Sequence, residues 1–167
     1  MVGIGRSRRM PTEKQREWLA SASYVNSREL GEEAMILLRE GRLPRAAFLA
    51  VESFEEWLKG RYCERGSRES DKHGFHAVFR SHPKKMALVK EFAEEGEWPA
   101  ETVDVLLRMR ERCLYVEVGD HGQALTPNGL VDPGEMEPEF VEQVVTWTRA
   151  QVVKRIELAA SGGAAIP

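Results

Sequence analysis

The sequence contains little cysteine and no long apolar run. Its two cysteines, Cys63 and Cys113, form no CxxC pair, and such an isolated pair is more typical of reduced cytosolic thiols than of a secreted disulfide scaffold. No stretch approaches the ~20 consecutive apolar residues of a membrane-spanning helix. No apolar run follows the arginines near the N-terminus, as it would in a secretory signal peptide. We therefore expect a cytoplasmic protein with no membrane partner.

Several catalytic motifs are also missing. There is no glycine-rich phosphate loop, no G-x-S-x-G, no HExxH and no Cys/His cluster, which argues against a classical nucleotide hydrolase or a zinc enzyme. Potential metal ligands are present at His73 and His76 and in the acidic group Glu52, Glu55 and Glu56. They lack the Glu-x-x-His pairs of di-iron helical bundles. We expect no cofactor and no dedicated metal site.

The overall composition is that of one globular domain. Of the 167 residues, 42% are hydrophobic and 31% are charged, and a chain of this length needs no metal or disulfide to fold. The net charge is −3, so any contact with RNA would require a local basic patch. We predict a flexible N-terminus over residues 1–11, a single helical domain over 12–160 and a disordered tail over 161–167.

Glycine and proline divide the chain into helical segments. The predicted segments are 12–40 (whole, or interrupted near 21–23), 44–64, 71–95, one that begins at residue 99, and 138–159. Gly41 is expected just past the first helix and Pro44 in the first turn of the second. Pro83 disfavours helical geometry at the residue before it, so His82 is predicted to mark a break or a helix start.

One short extended segment, residues 114–118, is too isolated to form a sheet. We therefore predict an all-α, up-and-down bundle of four to five helices with one long loop. Helical spacing of apolar residues predicts a core that includes Phe54, Leu58, Phe79, Val89, Leu106 and Val145. It also predicts an inward stripe on the first helix at Asn26, Leu30, Ala34, Leu37 and Leu38, and another on the last helix at Val141, Val145, Thr148, Val152 and Ile156.

Charged residues at the edge of the apolar stripes are the candidates for chemistry. Glu55 and Lys59 are one helical turn apart, either as a solvated ion pair worth a few tenths of a kcal/mol or with Glu55 half-buried and orienting another group. His82 is followed by Lys85 and could bind phosphate, act as a general acid/base, or simply be a core or cap histidine. The arginines at 108, 110 and 112 could bind phosphate or could compensate the helix dipole.

Three sequence blocks occur in a familiar order. A helix leads through Gly41-Arg42 and Arg45-Ala46 into Leu49-Ala50-Val51 and Glu55-Glu56-Trp57-Leu58-Lys59. His82-Pro83-Lys84-Lys85 follows, and Arg112-Cys113-Leu114-Tyr115-Val116-Glu117 precedes a proline-bearing loop and a closing helix. Together these blocks resemble the AbiV family of abortive-infection proteins, part of the broader HEPN class of helical domains that act on nucleic acids. The resemblance covers roughly residues 24–155.

The resemblance implies a HEPN-like bundle that defends bacteria against phage by shutting down host gene expression, at translation. Many HEPN proteins are RNA-cleaving homodimers that use an R-x4-6-H motif. The family's motif residues fall here on Glu55, Lys59, His82, Lys85, Arg112 and Tyr115. This sequence departs from the ribonuclease pattern, because its one R-x4-H, from Arg68 to His73, lies in a predicted polar loop.

For a metal-independent endoribonuclease, the resemblance implies a catalytic set of His82, Arg112 and Glu55. Substrate binding would then fall to Lys59, Lys85, Arg108 and Tyr115. The alternative is a non-enzymatic module that binds RNA or protein, inhibits translation and responds to a phage-encoded activator; a third reading is a purely structural helical dimer. We also expect a homodimer, because the four tryptophans exceed the needs of one small core. Glu55, Lys59, His82 and Arg112 are expected to meet in one polar cluster.

Overall fold

The computed structural model describes residues 10–65, 82–94, 117–118, 124–125 and 138–160. Within these ranges the chain forms helices α1 (Glu13–Arg39), α2 (Leu43–Glu64), α3 (His82–Glu94) and α4 (Pro138–Ala160). Strands β1 (Glu117–Val118) and β2 (Ala124–Leu125) pair antiparallel. The predicted all-α class is confirmed. The prediction that the extended segment at residues 114–118 forms no sheet is wrong, because its last two residues are β1 and pair with β2.

Local sequence signals explain where α1 begins and ends. The Thr12 hydroxyl accepts from the Gln15 backbone N–H at 3.3 Å, and the Gln15 side chain accepts from the Thr12 backbone N–H at 2.9 Å, which is a capping box. The helix then continues without interruption through residues 21–23. It ends before Gly41, whose φ of 71° lies in the left-handed region that glycine adopts readily.

Helices α1 and α2 pack as an antiparallel pair along a seam of small residues. The Ser27 hydroxyl donates to the Ser53 carbonyl at 2.7 Å, and the Ser53 hydroxyl donates to the Ser27 carbonyl at 2.7 Å. The buried residues of α1 are Ala20, Ser23, Tyr24, Ser27, Gly31 and Ala34. The predicted α1 stripe was therefore wrong in part, because Asn26 is exposed and Leu30 only half-buried. Close helix approach requires small side chains at the contact, and these displace the larger leucines to its edge.

Aromatic side chains fill the space where α2, α3 and α4 meet. The Trp57 ring lies edge-on to Trp147, with centroids 4.8 Å apart, and its centroid is 5.5 Å from that of Phe54 and 6.1 Å from that of Phe92. The predicted core residues Phe54, Leu58, Val89 and Val145 are buried, as expected. Two others, Phe79 and Leu106, lie outside the described residues.

The last helix follows its predicted stripe until its final turns. Val141, Val145, Thr148 and Val152 are buried, but Ile156 is 40% exposed, contrary to the prediction. The turn that holds Ile156 brings Arg155 towards Glu64 of α2 instead. Within the described parts of the chain, no helix combines the length and apolar character that a membrane span needs.

Gly60 of α2 lies directly against the buried ring of Tyr24. A methyl group added at Gly60 would lie 2.5–2.9 Å from three ring carbons. We expect Gly60→Ala to lower the free energy of unfolding by about 1–2 kcal/mol, because overpacking outweighs the gain in helix propensity. Urea denaturation measures the change. Gly31→Ala is the matched control, since its methyl would approach nothing closer than 3.3 Å, and an equal loss in both variants would contradict the prediction.

Candidate functional site

A buried ion pair joins α2 to the first turns of α3. The ammonium group of Lys85 donates to Oε2 of Glu55, and the side chains are 8% and 0% exposed. Two charges taken out of water are stable only when they are closely matched, because each carries a desolvation cost of several kcal/mol. The pair therefore fixes the position of α3 on α2 at the point where α3 begins.

His82 is the first residue of α3 and precedes Lys85 by one turn. This confirms the prediction that His82 marks a helix start, next to Pro83, a residue type favoured in the first turn of a helix. Because Lys85 is held by Glu55, the start of α3 is anchored one turn after the histidine. Of the predicted site residues, the structure thus brings Glu55 of α2 and Lys85 of α3 together, and His82 lies on α3 with Lys85.

Lys59 makes a different contact from the one predicted. Its ammonium pairs with Glu56, three residues earlier, and both side chains are largely covered, at 13% and 14% exposed. Of the two readings of Glu55 and Lys59, the solvated ion pair is wrong, and the structure agrees with the other, because Glu55 is buried and holds Lys85. The remaining site residues, Arg108, Arg112 and Tyr115, lie outside the described residues, and their place in the cluster stays a prediction.

A second charged cluster, not predicted from the sequence, joins α2 to α4. Arg61 Nη1 donates to Oε2 of Glu64, and Arg155 Nη1 lies 3.6 Å from the same oxygen. Burial, followed by the negative charge of Glu64, raises the pKa of the nearby Tyr24 hydroxyl well above its usual range. Tyr24 therefore stays a neutral phenol. The one sequence signal was Arg61 on the apolar face of α2, where a charge must find a partner.

Cys63 is a buried free thiol beside this cluster, and burial raises its pKa to about 12. Only the thiolate is nucleophilic, and at pH 8 a thiol with so high a pKa stays almost entirely protonated. We expect native Cys63 to resist iodoacetamide at pH 8 and to react rapidly in urea. Mass spectrometry of the Cys63 peptide measures both rates. Equal labelling in the native and unfolded protein would contradict this expectation.

Metal ligands do not gather in the described residues, where no three His, Cys, Asp or Glu side chains are arranged to hold an ion. His73 and His76 lie outside those residues, so the absence of a dedicated metal site remains an expectation. What the described geometry offers at the start of α3 is a histidine position, a lysine and a buried carboxylate. A histidine is a residue type suited to proton transfer, whereas Lys85 is buried and engaged by Glu55.

The comparison with protein families decides where the chain belongs. The family model of HEPN_AbiV, described as AbiV, matches residues 17–144. The chain belongs to the AbiV family. The matched span contains most of α1, all of α2 and α3, and every site residue predicted from the sequence. Membership indicates a role in abortive infection, the bacterial defence against phage. No curated protein and no solved structure shows significant similarity to the chain.

Proposed function

We propose that this AbiV protein acts on RNA during abortive infection, as a metal-independent endoribonuclease whose site surrounds the first turn of α3. The observation that supports this is the buried Glu55–Lys85 pair, which anchors α3 immediately after His82. Cleavage of a phosphodiester needs a group that transfers protons near neutral pH and a cation that stabilises charge on the phosphate. A histidine at an anchored helix start provides the first requirement.

The described contacts refine the roles of the individual residues. Glu55 is completely buried, so in this proposal it positions Lys85 and does not touch RNA. Lys85 is largely neutralised by Glu55, which leaves Arg112 as the stronger candidate for the phosphate clamp, since a guanidinium binds phosphate through two donors. His82 takes the proton from the ribose 2′-hydroxyl, whose oxygen bonds to phosphorus as the P–O5′ bond breaks, and the departing 5′-oxygen takes a proton from water. Lys59, Arg108 and Tyr115 remain proposed contacts to the substrate.

A second function is favoured by the same ion pair. Because Glu55 and Lys85 satisfy each other, the cluster also fits a structural role in a module that binds RNA or protein and inhibits translation without cleavage. A phage-encoded activator would then act by changing access to that module. Exposed Trp18, Val25 and Ile36 lie along one stripe of α1 and support the proposal that two copies pair as a homodimer.

The two functions separate in two parallel assays of the purified protein: a cell-free translation reaction, and incubation of RNA alone in buffer that contains EDTA. A ribonuclease shortens the RNA in the presence of EDTA and stops translation in the first assay as a consequence. A binder stops translation and leaves the RNA intact. Intact RNA with unimpaired translation, in a preparation that protects cells from phage, would refute both.

A further inference from the structure

A groove lies between α1 and α4, and Ile36, at one end of the exposed apolar stripe of α1, forms part of its lining. Its volume is about 350 Å³, within the range of ligand-binding cavities. The walls carry Arg28, Glu32 and Arg39 from α1 and Arg149 from α4, and the floor contains the bonded hydroxyls of Ser27 and Ser53. Two helices thus present three guanidinium groups to one concave surface.

The guanidinium groups of the groove differ from the other cations described above in their lack of a carboxylate partner among the described residues. Arg28, Arg39 and Arg149 are exposed, and none is paired with a carboxylate in the described part of the chain. By contrast, Lys59, Arg61 and Lys85 each hold a carboxylate. In a protein with a net charge of −3, three unpaired arginines around one groove form a local positive surface that attracts anions.

The spacing of the arginines indicates the kind of anion. Arg28 and Arg39 are 11 residues apart on a continuous helix, which places their backbones about 16 Å apart along its axis. A ligand that carries several phosphates matches this separation better than one isolated ion does. Glu32 opposes a phosphate placed directly beside it but can accept a hydrogen bond from a ribose hydroxyl.

We infer that the α1–α4 groove binds the phosphate groups of its ligand, which the proposed function identifies as a single strand of RNA. The groove would hold the strand through Arg28, Arg39 and Arg149, apart from the site at the start of α3. That the phosphates belong to RNA rests on the proposed function, whereas the binding of phosphate rests on the groove itself. The groove increases the affinity for the strand and takes no part in cleavage.

The test compares two triple variants of the full chain. R28Q/R39Q/R149Q removes the groove cations, and R45Q/K90Q/K154Q removes three exposed cations elsewhere, so that both change the net charge equally. Fluorescence anisotropy of a labelled single-stranded RNA, at several salt concentrations, gives the affinity and its salt dependence. AMP and inorganic pyrophosphate are titrated as competitors, and circular dichroism checks that all proteins are folded.

The groove variant is expected to bind RNA at least ~10-fold more weakly than the wild type. The slope of log K against log salt should also become shallower by about 2, since each of the three phosphate contacts to a single strand contributes roughly 0.7. The control variant should bind as the wild type does. Wild-type affinity in the groove variant would overturn the inference, even if the protein still cleaves RNA or blocks translation. Groove-dependent binding of AMP or pyrophosphate by a protein inactive on RNA would uphold the phosphate site and refute the proposed function.

Discussion

Replacing His82 with glutamine is expected to lower the rate of RNA cleavage by at least ~100-fold, the lower end of what general acid–base catalysis contributes. Glutamine retains hydrogen-bonding capacity but cannot transfer a proton at neutral pH. His82 is the first residue of α3, and the helix is anchored one turn later through Lys85, so the variant should fold normally. The measurements are the cleavage rate of the purified protein, its thermal unfolding and the protection of cells from phage.

Lys90→Gln is the matched control for His82→Gln, because Lys90 is an exposed residue of the same helix. It should leave cleavage and stability unchanged. If His82→Gln keeps its activity, or loses it only together with the fold, the histidine is structural and the catalytic assignment is wrong. If cleavage is absent in the wild type as well, while RNA binding and translation inhibition persist in both proteins, the chain is a binder.

Lys85→Met should lower the free energy of unfolding by about 3–5 kcal/mol, because it leaves the carboxylate of Glu55 buried without its cation. Glu55 is 0% exposed, so water cannot easily replace the lost partner. Replacing both residues, in Glu55→Leu/Lys85→Met, should recover most of the loss, since a well-packed apolar pair avoids desolvating two charges. Urea denaturation of the wild type, both single variants and the double variant completes the cycle.

Lys59→Met provides the comparison for this cycle. It removes a cation whose partner, Glu56, is a neighbour on the same helix and retains some exposure to water, so a loss near 1 kcal/mol or less is expected. A loss in Lys85→Met as small as that in Lys59→Met would show that the buried pair does not anchor α3. The proposed site would then lose the observation that supports it.

The bounds of the described helices could be predicted from the sequence because local chemistry determines them, while the predicted helix that begins at residue 99 lies outside the described residues. Gly41 has the positive φ that ends α1, Pro44 lies in the first turn of α2, and Pro83 places the start of α3 at His82. The burial of Phe54, Leu58, Val89 and Val145 followed from helical periodicity alone. The family resemblance was also present in the order of short motifs, and the match over residues 17–144 confirms it.

The tertiary structure decided which charged residues meet. Glu55 pairs with Lys85, 30 residues away, because packing turns that side of α2 towards α3, and a desolvated carboxylate must then find a cation there. Periodicity places a residue on a helix face but does not determine which helix covers that face. The serine seam between α1 and α2 and the arginine groove between α1 and α4 depend on the same choice of neighbours, and spacing along one helix therefore could not reveal them.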